Sequence, residues 1–314
     1  MHIAGSQRGI ALLMVLWVLT ILTVVAFSFS FTTRTDVYGT LAFKEGIEKR
    51  FLAEAGMERA IMEIFYAVQN RGQTALLEER EVWRTDGTSY EGQLGEGGYS
   101  VAIVDESGKI DINKITEQSG ILFKNLLMNH GVRDADADFI VDSLLDWRDA
   151  DDLRHLNGAE SEYYLSLPSP YQAKNANLDT VEELLLIKGV TPEILYGGSE
   201  TKGIIRYLTV NGPSAQININ AAPREVLMAV PGITPELADS IISLRETKQV
   251  TPQDAGIPGE SAAFVSYAGG NTFTIESVGH RQGETGGHAI RATVVIEGTK
   301  HRYLYYKTPV DTRQ

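Results

Sequence analysis

Residues 10–33 read IALLMVLWVLTILTVVAFSFSFTT, a run without a single charge. A helix crosses a bilayer with about 20 mainly apolar residues, so this run is long enough to span one. Arg34 and Asp36 close it, and the preceding MHIAGSQRG has Arg8 as its one Lys or Arg. A short basic leader keeps the N-terminus cytoplasmic and sends the rest of the chain outward. A cleaved secretory signal fits poorly. Its apolar core is about 7–15 residues and a small-residue cleavage site follows it, whereas here Arg34-Thr35-Asp36 follows. A plain signal anchor is the other reading of the same flanks.

The remainder of the 314 residues is ample for one large domain or two ordinary ones, and 43% hydrophobic residues can fill a core. The absence of cysteine excludes disulfides, thiolate nucleophiles and thiolate zinc sites. A formal charge of −13 argues against nucleic-acid backbones as the main partner and fits cations or basic partners better. The chain has no Gly-x-Ser-x-Gly, no His-Glu-x-x-His and no Walker loop, and its six histidines are scattered. No catalytic constellation stands out, and the chain is not expected to be an enzyme.

Past the apolar run, residues 37–70 place Leu41, Ile47, Phe51, Leu52, Met57, Ile61, Ile64 and Phe65 at three- and four-residue spacing among charges, which is amphipathic helix. Gly39, Gly46 and Gly56 argue against an unbroken rod. Residues 71–96 read as a polar stretch. GGYSVAIVDESGKIDINKI (97–115) then reads as strand, turn, strand, with the turn at Ser107-Gly108. Residues 114–265 read as helices punctuated by Pro and Gly, and hold 22 Asp and Glu against 12 Lys and Arg. FTIESVGH (273–280), HAIRATVVIE (288–297) and HRYLYYK (301–307) return to strand patterns. GKIDINKI (108–115) and AQININAA (215–222) form a short internal echo, each an Ile-x-Ile-Asn strand opening onto a helix.

Gln7-Arg8-Gly9 directly ahead of the apolar run resembles a type IV prepilin leader, which is cut after Gly on the cytoplasmic side. That resemblance implies processing between Gly9 and Ile10, with Ile10 as the first mature residue and its amine methylated. The fifth mature residue is then Met14, where most pilins have Glu. QRGIALLMVLWVLTIL, with an apolar residue at that place, and FLAEAGMERA (51–60) resemble the minor pseudopilin K family of type II secretion systems. The resemblance implies an α+β protein: a pilin-like N-terminal hydrophobic helix plus an antiparallel sheet, with a large inserted all-α domain. The divisions are a leader over 1–9, a transmembrane helix over 10–33, a spine and first strands over 34–113, a helical insert over 114–265, and C-terminal strands over 266–314. It also implies a bacterial inner-membrane location with the C-terminal domain in the periplasm. The implied partners are prepilin peptidase and the I- and J-type minor pseudopilins in a tip complex.

Two features of the insert invite chemistry. Lys188-Gly189-Val190 before Thr191-Pro192-Glu193, and Pro231-Gly232-Ile233 before Thr234-Pro235-Glu236, resemble helix-hairpin-helix units. Such hairpins offer backbone amides to phosphates, so an envelope-anchored DNA-binding protein is the alternative function. Acidic neighbours, among them Glu182, Glu183, Glu225 and Asp239, repel a polyanion, and a packing role is favoured.

The second feature is DADADFIVDSLLDWRDADDLRHLNGAESEYY (134–164), with ten Asp or Glu against two Arg. Asp138, Asp142, Asp146 and Asp149 fall at four- and three-residue spacing on one helix face, where they repel unless something neutralises them. A divalent cation held by oxygen ligands does so, and a solvated acidic face is the alternative. The spacing is not that of an EF-hand. The family resemblance, through a WxDxD…GAE pattern, implies Ca²⁺ in the helical domain. The candidate ligands are Asp149, Asp151, Asp152, Glu160 and Glu162, with Asn177 beside them.

Overall fold

A computed structural model of the chain describes residues 8–70, 83–198, 202–283 and 286–310. The candidate leader falls largely outside the described residues. The first element, α1 (Arg8–Gln69), is one continuous helix through Gly39, Gly46 and Gly56. An interior Gly costs only about 1 kcal/mol relative to Ala, too little to break a helix rich in helix formers. From Ile10 to Phe31 the large side chains of α1 are exposed. Among the described residues this is the one helix long and apolar enough to cross a membrane.

The second half of α1 lies under a five-stranded antiparallel sheet. Its strands are β1 (Asp86–Leu94), β2 (Gly97–Asp105), β7 (Thr272–Arg281), β8 (His288–Glu297) and β9 (Lys300–Lys307), in that spatial order. Ala53, Met57, Ala60, Ile61 and Ile64 of α1 meet Val101, Ile103, Phe273, Ile275, Ile290, Ala292 and Val294, every second residue of the central strands. Gly279 lets helix and sheet touch. A Cβ there would overlap the carbonyl oxygen of Lys49 and the amide nitrogen of Ala53. Gly56 answers it from the helix, where a Cβ would overlap Ser277 Oγ and the Tyr99 ring. The strand β1 falls in a stretch whose sequence reads only as polar. It sits at the sheet edge with every second residue exposed, so it lacks the apolar alternation of an inner strand.

Between β2 and β7 the chain leaves the sheet and returns at one point, since Asp105 pairs with Phe273. The intervening block has its own core, centred on Phe123, Leu126, Ile140, Leu144, Tyr164 and Leu227. Its longest helices are α2 (Gly120–Asn129), α3 (Asp134–Arg148) and α7 (Pro235–Arg245). Other helical-looking segments are shorter than their periodicity predicts. VEELLL is a 3₁₀ turn over Val181–Leu186, and α6 is a single turn over Arg224–Leu227. The remaining short helices are α4 (Ser161–Leu165), α5 (Pro192–Tyr196) and α8 (Pro252–Ala255).

The sequence echo is a structural repeat. β3 (Ile110–Asp111) pairs in parallel with β4 (Leu208–Thr209), as β5 (Ile217–Asn218) does with β6 (Val265–Ser266). Two residues past each first strand an Asn clamps a distant backbone. Asn113 exchanges two hydrogen bonds with Leu178, both 2.8 Å, and Asn220 exchanges two with Val250, at 3.1 and 2.8 Å. The last residue of the long helix then reaches back to the strand. Arg148 donates to the carbonyls of Ile112 and Ile115, and Arg245 to those of Ile219 and Ala222. The copies differ most in what lies between Arg and the clamped residue: 246–249 in the second copy, 149–177 in the first.

Candidate metal centre

All six candidate ligands lie in the loop 149–177 that only the first repeat carries. The loop is anchored at both ends. Arg148 ties its start to the carbonyls of Ile112 and Ile115 just past β3, and Asn175 N–H donates to the Trp147 carbonyl at 2.9 Å. Tyr164, fully buried, packs edge-on to Trp147 with ring centres 5.1 Å apart. The Lys188 ammonium holds the middle, donating to the Gly158 carbonyl at 3.2 Å and lying 5.1 and 5.2 Å from the Tyr163 and Phe139 ring centres.

This anchoring gathers carboxylates. Asp149, Asp151 and Glu160 offer oxygens that lie within 4.8 Å of one another. A second group, Asp146, Asp149 and His155, shares Asp149 and has the same spread. Asp146 was legible only as one Asp on a helix face, yet it is fully buried at the floor of the cluster. Its Oδ1 accepts the His155 backbone N–H at 3.0 Å and bonds the His155 ring Nδ1. Gly158 covers it so closely that a Cβ would overlap Oδ2. Asp142 accepts both the backbone and side-chain N–H of Asn157, at 3.0 and 3.1 Å, and so fixes the same turn.

Several of these oxygens lack protein partners. Glu160 is 6% exposed and neither of its carboxylate oxygens is hydrogen-bonded; Asp146 Oδ2 and Asp149 Oδ1 are likewise buried without a partner. Leaving buried polar atoms unpaired costs about 1–3 kcal/mol each, and more for charged groups. Burial pushes the Glu160 carboxyl up to about 7, with Asp146, Asp149, Asp152 and Asp151 adding to the shift. Burial also raises Asp149, helped by Asp151 and Asp146. Burial opposes the charged form of His155, but Asp146, Asp142 and Glu117 hold it above its ordinary value. An array of hard oxygens, buried, mutually repelling and unpaired, fits a divalent cation of the Ca²⁺ type. Asp152 is exposed and acts on Glu160 through its charge. Glu162 and Asn177 are exposed and stand in neither group.

The helical turn that follows each Gly turn is capped from within the chain. Thr191 Oγ1 accepts the Ile194 N–H and Thr234 Oγ1 the Leu237 N–H, each at 3.3 Å. Glu193 and Glu236 occupy the first turns, each held below its usual range by its own backbone amide and the Thr hydroxyl. Two amides of each first turn are thus already engaged, with a carboxylate beside them, which disfavours a phosphate there.

A family model described as type II secretion system (T2SS), protein K, matches residues 102–196. A curated relative from Escherichia coli K12 is 25% identical over 197 residues, and the type II secretion system protein K of Pectobacterium carotovorum is 26% identical over 204. That of Pseudomonas aeruginosa is 27% identical over 202 residues. The chain spans about 60% of the length of these relatives. Among solved structures, a chain of the GspK–GspI–GspJ complex of the enterotoxigenic E. coli type 2 secretion system shares the fold. Its TM-score is 0.56 at 17% identity, over 82% of this chain and 97% of that one.

Proposed function

We propose that this chain, which is similar over part of its length to the protein K family of type II secretion systems, works as a minor pseudopilin at the tip of the periplasmic pseudopilus. The observation that carries this reading is the build of α1. Its first half exposes an uncharged apolar surface, and its second half is the spine of an antiparallel sheet. One helix can therefore rest in the inner membrane and later pack with neighbouring subunits, while the head stays in the periplasm. The insert between β2 and β7 widens the head, which suits a cap better than a repeating subunit.

The bond between Gly9 and Ile10 is the one a prepilin peptidase would cut. The companions are I- and J-type minor pseudopilins, in keeping with the complex named for the solved relative. The role is scaffolding: the tip complex starts a filament that exports folded proteins across the outer membrane. Within the insert, Asp149, Asp151 and Glu160, with Asp146 beneath them, would hold a Ca²⁺ ion that neutralises the cluster and fixes the loop 149–177.

Purification of the full chain from inner membranes of the secreting bacterium tests the reading. It should bring down I- and J-type subunits, and loss of the chain should stop secretion of folded substrates. Recovery without either companion would overturn it.

A further inference from the structure

Among the described residues the sheet ends in two edges, β1 and β9, and they differ. The β1 edge is polar, with Asp86 and Glu91, a positive-φ glycine at Gly87 and a register shift between Asp86 and Ser89. Such features discourage further pairing. The β9 edge, KHRYLYYK, has three cations and no acid in a chain of charge −13. Among the described residues, β9 pairs with β8 alone. Tyr303, Leu304, Tyr305 and Tyr306 are each at least 37% exposed. Lys300, Lys307 and a register shift at Thr293/Val294 blunt this edge against indiscriminate pairing, while its exposed aromatic run leaves it open to a strand of complementary acidic charge.

The pairing register sorts its side chains onto two faces. His301 lies opposite Ile296, Tyr303 opposite Val294 and Tyr306 opposite Ala292, all core residues on the α1 side. The register shift at Thr293/Val294 leaves Leu304 unpaired, which keeps Tyr303 and Tyr306 on one face. Their rings form a row from Phe65 of α1 through His301 and Tyr303 to Tyr306, with centres 6.0, 5.3 and 5.7 Å apart. Lys300, Arg302, Tyr305 and Lys307 fall on the other face, where only Arg302 has an acidic partner among the described residues, Glu297 at 3.3 Å.

We infer that β9 is the docking edge for an extended segment of a neighbouring subunit. That segment adds as a sixth strand, with apolar residues over the tyrosine row and acidic residues alternating toward Lys300, Arg302 and Lys307. The inference rests on the pseudopilin reading. Main-chain hydrogen bonds supply the pairing, and the alternation supplies specificity. A membrane surface is the other basic-aromatic target, and the geometry disfavours it. At 1.5 Å per residue, Phe65 stands about 48 Å along α1 from Thr33.

The test uses the full chain in membranes of the secreting bacterium, with Tyr305 replaced by the photo-crosslinker p-benzoylphenylalanine and a control replacement at Gln93 on β1. Cross-links from 305 should map to one short segment of an I- or J-type companion in which acidic and apolar residues alternate, and those from 93 should not. The variant Lys300→Glu/Arg302→Glu/Lys307→Glu, checked for an unchanged melting curve, should lower companion recovery roughly tenfold, as expected for three cross-strand charge pairs turned repulsive. If companions are recovered undiminished and cross-link only elsewhere, the docking edge is wrong and the pseudopilin reading stands. Cross-links only within the chain, to a second copy or to lipid also overturn it. Recovery of no companion overturns both.

Discussion

Glu160 concentrates the argument at the scale of single residues. A buried carboxylate with two unpaired oxygens beside three or four others is unfavourable as an anion and needs a proton or a cation. If the cluster holds Ca²⁺, the ion at 100 times its dissociation constant would stabilise the native state by about 2.7 kcal/mol, and chelator should lower the melting temperature of the detergent-solubilised chain. Glu160→Gln should abolish that response, whereas Glu162→Gln, at an exposed position outside the cluster, should retain it. No chelator shift in the unmutated chain would leave a solvated acidic cluster. The same carboxyl sets a pH dependence. Its folded value of about 7 lies above the ordinary 4.5, so without a cation the native state binds more protons between these values. Stability must then fall as pH rises through that window. The raised His155 acts in the same direction, its contribution being lost as pH climbs through its folded value. A Ca²⁺ ion bound there would replace the Glu160 proton, so the gap between calcium and chelator melting temperatures should widen from about pH 5 to pH 8. A gap independent of pH would show that Glu160 is not a ligand. Lys188 supports the cluster from outside by holding the Gly158 carbonyl. Lys188→Met should weaken calcium binding, and Lys188→Arg should restore much of it, both read by calorimetry.

Secondary-structure elements record how much the sequence discloses. The strands β7 and β8 are legible because inner strands alternate apolar and polar residues, and the edge strand β9 because its run is aromatic and a Gly turn sets it off. The strand β1 is not, because its side chains face solvent or the sheet rim and leave no apolar period. The VEELLL and PREVL segments have helical spacing, but Gly189 and the Pro231-Gly232 turn follow within a few residues and confine each to a turn. At the cluster, Asp149, Asp151 and Glu160 were legible only through the WxDxD…GAE resemblance, among six candidates that residue type and spacing did not separate. Asp146 and His155 were not, since spacing along a helix does not say which side chain the loop 149–177 will bury. The echo Ile-x-Ile-Asn pointed to a repeat, but its Asn clamps and Arg148/Arg245 bonds join residues far apart in the chain. One contact between elements is directly testable. Gly279→Val would drive a side chain into the α1 backbone at Lys49 and Ala53. Overpacking of this kind costs about 1–3 kcal/mol. The variant should melt earlier with its calcium response intact, because the insert has a separate core. Loss of the calcium response together with stability would show that the two cores do not act independently.

At the scale of the whole molecule, the proposed tip position would follow from one missing charge and one added domain. The N-terminal amine left after cleavage at Gly9 would lie at the membrane end of an uncharged helix, and an unpaired charge in a bilayer costs at least about 2.5–3.5 kcal/mol on insertion scales. In pilins, the resemblance implies, a Glu at the fifth mature residue meets the amine of the subunit above. This chain has Met14 there, exposed on α1. It can offer its own amine to the Glu of the next subunit, but it cannot neutralise a subunit above it. A subunit of this kind can begin a stack and cannot sit inside one. The insert between Asp105 and Phe273 agrees, since the head it widens would obstruct a subunit placed on top. Gold-labelled chain in assembled pseudopili should therefore mark one end, in few copies per filament. Met14→Glu removes the electrostatic barrier to interior positions while leaving the insert in place. If charge alone sets position, labels on that variant should spread along the shaft. If the insert dominates, they should stay at the end while membrane insertion is unchanged. Labels scattered along the shaft in the unmutated protein would refute both the charge argument and the steric one.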